Sequence, residues 1–190
     1  MTDLHDIGRF MFDDARERGD KARLAAFLHE HGAASFSRDP HIGGHVTGSA
    51  FVLSPDKRAV LMTHHAKLDR WLQLGGHCDG ICDVRFVAQK EAYEESGLAR
   101  ISFLSPDVFD LDVHSIPANS KEPEHLHFDV RFLMQAADWE VQITAESKAL
   151  KWISLADLEI YTRDISVLRL RDKVVERDVG SRSQSGENDI

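Results

Sequence analysis

The stretch GGHCDGICDVRFVAQKEAYEESGL (75–98) constrains this chain more than any other. The run WLQL before it reads as a short strand that Gly75 and Gly76 end, and a polar loop follows. Asp83 is placed to cap a helix over about 84–96, and Gly97 stops it. Val84, Val87, Ala88 and Ala92 form its apolar stripe, so one side of the helix is core. Glu91, Glu94 and Glu95 stand three and four residues apart on another side. Like charges at that spacing cost a helix roughly 0.2–0.5 kcal/mol per pair. A bound cation offsets that repulsion, whereas a solvated helix face leaves it standing.

The rest of the chain supplies the layers around this unit. Residues 4–31 carry apolar residues at helical spacing (Ile7, Phe10, Met11, then Leu24, Phe27, Leu28), with Gly19-Asp20 expected to split them into two helices and Gly32 to end the second. Residues 45–65 read as two strands around the turn Ser54-Pro55-Asp56-Lys57. Strand material over 101–113 contains a Ser105-Pro106-Asp107 turn, and a polar loop covers 117–124. HLHFDVRFLMQA (125–136) is a patterned strand, 150–153 a short one, and 155–160 and 166–177 are helical. Mixed strands and helices in this order predict an α/β layered domain. The expected division is an N-terminal helical extension (1–40), a catalytic-type domain (41–178) and a disordered polar tail (179–190).

Composition excludes several classes. A chain of 190 residues with a formal charge of -9 repels nucleic-acid backbones, and no basic recognition helix is visible. No apolar run is long enough for a membrane span, and the start MTDLHDIGRF has no secretory signal pattern. Cys78 and Cys82 read as reduced thiols, so the expected compartment is cytoplasmic.

The order of glycine, loop and helix with a K-E-A-x-E-E-S-G-L ending resembles the Nudix hydrolase box, G-x5-E-x7-R-E-U-x-E-E-x-G-U, with U apolar. Gly76 falls on its first glycine, Lys90 on the arginine, Glu91 on the next glutamate, Ala92 on U, Glu94 and Glu95 on the paired glutamates, and Gly97-Leu98 on its end. The resemblance runs from about His41 to Trp152, and GHVTGSAFVL, THHAKLDRWLQLGGHCDG and HLHFDVRF look like a bacterial GGHCDG-type subgroup. It implies an α/β/α sandwich with a mixed sheet, and hydrolysis of a diphosphate bond in a nucleoside diphosphate-linked or related small molecule. Two positions depart from the box: its first glutamate is Cys82, with Asp83 next to it, and its arginine is Lys90, which keeps the charge and loses the bidentate fork.

Mg²⁺ or Mn²⁺ suits this chemistry, because divalent ions offset a diphosphate's charge and accept oxygen ligands. The resemblance assigns the ion to Glu91, Glu94, Glu95 and the Gly76 carbonyl. Glu95 is favoured as a ligand, and the general base stays open among the glutamates. Glu146, in the loop before Trp152, is a further acidic candidate.

The chain holds 11 histidines, and His125, His127 and Asp129 alternate on one strand face. Isopentenyl diphosphate isomerases share the Nudix fold and hold a metal with histidines and glutamates. Laid on that pattern by its strands, the chain puts His45 and His77 on two histidine ligands and His125 and His127 on two glutamate ligands. Such a set suits Zn²⁺ or another transition metal. The competing reading is ordinary polar residues on a strand or cleft face. Lys67 and Arg70 are candidates for substrate phosphates, against a reading as solvated charge. The alternatives to hydrolysis are an isomerase-like Nudix protein and a non-catalytic binding or sensor module. Residues 1–40 are expected to line the cleft or to form a homodimer contact.

Overall fold

A computed structural model describes residues 15–185 except 66–67, 121 and 144–146. Its centre is a mixed sheet built on two long strands, β1 (Gly44–Leu53) and β7 (His125–Ala136). They run parallel and pair along the full length of β1, from Gly44 with Leu126 to Leu53 with Gln135. Each shares its other edge between two partners. β1 pairs first with β4 (Leu74–His77) and then, at Leu53, with β2 (Ala59–His65). β7 pairs with β6 (Asp110–Ile116) and then with β5 (Ile101–Phe103). β3 (Arg70–Leu72) and β8 (Ser147–Ser154) complete β2's flanks. Splitting both edges in this way curls the sheet around the ends of β1 and β7.

Helices cover both faces. On one, α1 (Ala15–His31) and α2 (Val84–Ser96) pack over Val46, Ala50 and Val52 of β1 and Phe128, Val130 and Phe132 of β7. Phe27 stacks on Phe128 with ring centroids 4.4 Å apart, so the N-terminal helix shares the domain's core. Gly48 lets α2 lie directly on the sheet: a Cβ there would sit 2.9 Å from the Val84 carbonyl oxygen. On the other face, α3 (Leu158–Tyr161) and α4 (Ile165–Ser185) bury Leu158, Val167, Leu170 and Val174 against Phe51, Leu53 and Leu133. This is the expected α/β/α layering. No helix among the described residues is long and apolar enough to cross a membrane.

Three elements differ from the sequence reading. α1 passes through Gly19-Asp20 without a break, because Asp20 is buried and bonded one turn back to Arg16 at 2.6 Å, which outweighs the glycine's penalty. The strand 71–76 is two: Arg70–Leu72 pairs with β2 and Leu74–His77 with β1, so Gln73 is the corner between them. The last helix runs to Ser185, past the start of the expected tail, and 186–190 lie outside the described residues.

An ionic cluster ties α1, β6, β7 and α4 together. Arg131 is 3% exposed and donates to Asp129, Asp110 and Asp112 at 2.7–3.3 Å, and to the Ser166 carbonyl at 3.2 Å. Arg169 donates to Asp110 at 2.7 Å, and Lys173 bonds both Asp110 and Glu17. Burial by itself raises the Asp110 and Asp112 carboxyls. The bonds and charges of Arg169 and Arg131, with His114 at Asp112, reverse this and hold both well below the usual carboxylate range. Glu17 moves the other way, raised by burial and by Asp110 beside it.

Candidate active site

The box helix starts where the sequence placed it. The Phe86 N–H donates to the Asp83 carboxylate at 3.1 Å, and Gly97 closes the helix in a left-handed turn at φ 64°. Asp83 is thus the helix cap. Cys82, in the glutamate's place, is exposed, and Cys78 is buried with its thiol pushed up to about 12 by that burial.

The three glutamates occupy different surroundings. Glu91 is half-buried against β4: a Cβ on Gly76 would lie 2.5 Å from Glu91 Oε2. Lys90 Nζ donates to Glu91 at 3.0 Å and to Glu94 at 2.8 Å, bonds that raise the lysine's affinity for its proton. Lys90 therefore does with a point charge part of what the box arginine does with a fork. Glu94 is exposed. Glu95 lines a cavity of about 410 Å³, together with Gly76, His77, His127, Asp129 and Arg70.

The cavity lies over the polar half of the sheet. Along β1, His45, Thr47 and Ser49 alternate onto the face whose apolar half, Phe51 and Leu53, is sealed by α4. Along β7, His125, His127, Asp129 and Arg131 alternate onto the same face. Asp129 is 2% exposed and accepts from Thr47 at 2.9 Å, Ser49 at 2.6 Å, Gln73 at 3.3 Å and Arg131 at 2.7 Å. All its bonds come from donors, so it forms a fixed anionic floor rather than a free base.

Histidines gather at the open end of this floor. Strand register places His45 opposite His127 and His127 opposite His114, while His77 pairs with Thr47, one pleat from His45. Ring centroids lie 4.5 Å apart for His45–His127, 4.9 Å for His45–His77 and 5.3 Å for His77–His127. His45, His77 and His127 each offer a ligand atom within 4.8 Å of the others. Burial, then the neighbouring imidazoles, lower His127 to about 2; burial, with Arg38 and the neighbouring imidazoles, lowers His45 and His77 to about 4. All three rings are neutral at physiological pH. His125 stands beside them, 5.0 Å from the His45 ring, but its Nδ1 donates to the Pro123 carbonyl at 2.9 Å.

The fold thus brings Gly76 and Glu91 together, sets Glu95 into the cavity and clusters His45, His77, His125 and His127. Glu146 and Lys67 lie outside the described residues, while Arg70 is exposed at the cavity wall. The sequence reading did not single out Arg131, Asp110, Asp112, His114 or Arg38. The first four had a signal, since Asp110-x-Asp112-x-His114 and the continuation of His127-x-Asp129 to Arg131 alternate on strands. Arg38 had none: its contacts to His77 and Asp79 depend on how a loop folds back.

The fold has counterparts among known proteins. A NUDIX hydrolase of Clostridium perfringens superposes with a TM-score of 0.53 at 24% identity, over 68% of this chain and 95% of that one. An Ap4A hydrolase of C. elegans gives 0.58 at 17% identity, over 71% and 98%. A Shewanella oneidensis NUDIX domain complexed with ADP ribose gives 0.52 at 20% identity, over 70% and 86%. At these identities the likeness is one of fold. A search of curated proteins finds no match. The NUDIX domain family matches residues 44–171, the whole span from β1 into α4. The chain belongs to the NUDIX family.

Proposed function

We propose that this chain is a divalent-cation-dependent pyrophosphohydrolase that cleaves a diphosphate bond in a nucleoside diphosphate-linked or related phosphorylated small molecule. One observation carries the reading: the Glu91 carboxylate fills the space that a Cβ on Gly76 would take, while Glu95, one turn on, lines the cavity. A carboxylate and a backbone carbonyl are the oxygen donors that Mg²⁺ or Mn²⁺ accepts, so the residues fit such an ion. Glu91, Glu95 and the Gly76 carbonyl would hold it, with Glu94 at the exposed flank. When bound, the ion offsets the charge of the diphosphate and lowers the pKa of a coordinated water.

The chain's own groups then divide the work. Lys90 restrains Glu91 and Glu94 and reduces their mutual repulsion. Glu95 is the box carboxylate that reaches the cavity, where a ligand or a proton acceptor for the attacking water is needed. Arg70, at the cavity wall, supplies a cation for substrate phosphates on a chain of net charge -9. Ap4A and ADP ribose, named for two proteins of similar fold, both contain phosphate anhydride bonds. The motif GGHCDG and the flanking GHVTGSAFVL and HLHFDVRF support placement in one bacterial branch of the family.

Hydrolysis of a panel of nucleoside diphosphate and triphosphate derivatives, with Mg²⁺, with Mn²⁺ and with EDTA, tests the reading. Metal-dependent turnover that falls by about a hundredfold or more in Glu95→Gln is expected. Turnover untouched by EDTA, or none across the panel, overturns it.

A further inference from the structure

The box reading leaves the histidines unused, and they are a costly thing to bury together. His45 is 4% exposed, and its Nε2 has no hydrogen-bond partner among the described residues; the same holds for the buried Nε2 of His127. A buried polar atom without a partner destabilises a fold, and here two such atoms lie on adjoining strands. Aliphatic side chains at 45 and 127 would avoid the cost. A shared ligand removes it by another route.

We infer that His45, His77 and His127 form a binding site for one divalent transition-metal ion, Zn²⁺ by its donor set, bordering the substrate cavity and separate from the box carboxylates. Four features of the fold support the site. The three rings come from β1, β4 and β7, elements locked in register by the sheet, so the site is built on rigid strands rather than on a loop. Their nitrogens lie within 4.8 Å of one another. Two nitrogens on a tetrahedral zinc are roughly 3.4 Å apart, so about an ångström of ring movement closes the site once Arg38 leaves His77 Nδ1. His45 and His127 each carry a buried Nε2 with no hydrogen-bond partner among the described residues, and three imidazoles with no thiol or carboxylate among them are borderline donors that favour zinc over magnesium.

The fourth position has a direction. His77 and His127 line the cavity that Glu95 also lines, so an ion on these rings presents its open coordination site to whatever occupies that cavity. Three protein ligands with one open position is the arrangement of zinc sites that bind a substrate oxygen or water. The ion would meet an anionic oxygen of the bound molecule from the sheet side. His125 lies outside the set of three whose ligand atoms meet within 4.8 Å, and its ring walls the site.

The test is metal binding without Mg²⁺, on untagged full-length protein purified without a nickel column and stripped with a chelator. Titration with Co²⁺, read by visible absorption, is expected to give one equivalent with the intense bands of low coordination number, displaced by one equivalent of Zn²⁺. Loss of a partner that only orients a ligand costs roughly 10–100-fold in affinity, so His127→Asn and His45→Asn should each cost at least about a hundredfold. Glu95→Gln and the surface variant His29→Asn should bind as the wild type does. Because Glu95→Gln abolishes the proposed hydrolysis but not this binding, the two readings fail separately. Circular dichroism checks each variant's fold, and His77→Asn, at a half-buried position, serves if His45→Asn or His127→Asn unfolds. No stoichiometric Co²⁺ in the wild type, equal binding by folded histidine variants, or loss of binding in Glu95→Gln would each overturn the inference.

Discussion

Gly76 and Glu91 occupy one space: a Cβ on the glycine would lie 2.5 Å from the glutamate's Oε2 and 2.6 Å from its Cδ. The contact is with the end of a flexible side chain, so Gly76→Ala displaces the carboxylate rather than the sheet. Melting temperature should change by only a few degrees, while kcat falls on the order of a hundredfold, the penalty for roughly an ångström of misplacement. A variant that keeps full activity would show that Glu91 need not approach β4.

Gly48 gives the opposite outcome. There the neighbours are backbone atoms, the Val84 carbonyl at 2.9 Å and the Ala88 nitrogen at 3.1 Å, and neither can rotate away. Gly48→Ala should lift α2 from β1 and cost about 1–3 kcal/mol in urea unfolding. An unchanged midpoint would contradict the tight helix–sheet packing.

Arg131 holds buried carboxylates of β6 and β7 at once. Arg131→Met leaves Asp110, Asp112 and Asp129 with fewer cations, and should destabilise the fold by about 3–5 kcal/mol. The pH dependence has a definite sign. Asp110 and Asp112 are depressed in the folded state, while an unfolded Asp titrates at about 3.9. The unfolded chain therefore binds protons first as pH falls, and the contribution, complete well above that value, is lost below about pH 5. Glu17, raised instead, partly opposes this loss. In Arg131→Met the acid transition should be shallower, because the carboxyls of Asp110 and Asp112 no longer sit as far below their unfolded values.

Arg38 should antagonise zinc. Its Nη2 donates to His77 Nδ1 at 2.7 Å, and a guanidinium only donates, so it occupies a lone pair that the ring needs for an ion. A metal at either nitrogen of His77 requires Arg38 to leave. Arg38→Ala should tighten Zn²⁺ binding by about tenfold, read by competition with a chromophoric chelator; unchanged or weaker binding would place the ion away from His77.

Much of the box was legible in the sequence because its signals are local. The Asp83 cap, the Gly97 stop and the spacing of Glu91, Glu94 and Glu95 need only helix geometry. The split of 71–76 into two strands was not legible, because it depends on which strand each half pairs with. The continuity of α1 through Gly19-Asp20 was hidden for a similar reason. The residues that hold Asp20 buried include Arg16 on the same helix, but their acceptors on β6 are the Leu111 carbonyl and Asp112. The histidines were visible as an excess and as an alternation. That His77 joins them follows from the β1–β4 register, and the bond that orients the His125 ring comes from a loop carbonyl.

The pairing of His45 with His127 also makes assembly self-checking. β1 and β7 are parallel neighbours distant in sequence, so no short turn dictates their alignment. If β1 slipped by a single residue, Val46 would turn toward the polar floor and His45 toward the packed helices, exchanging a valine's burial for an imidazole's. A mispaired chain would thus set an imidazole among apolar side chains and a valine over the polar floor, so the burial pattern itself selects the aligned register.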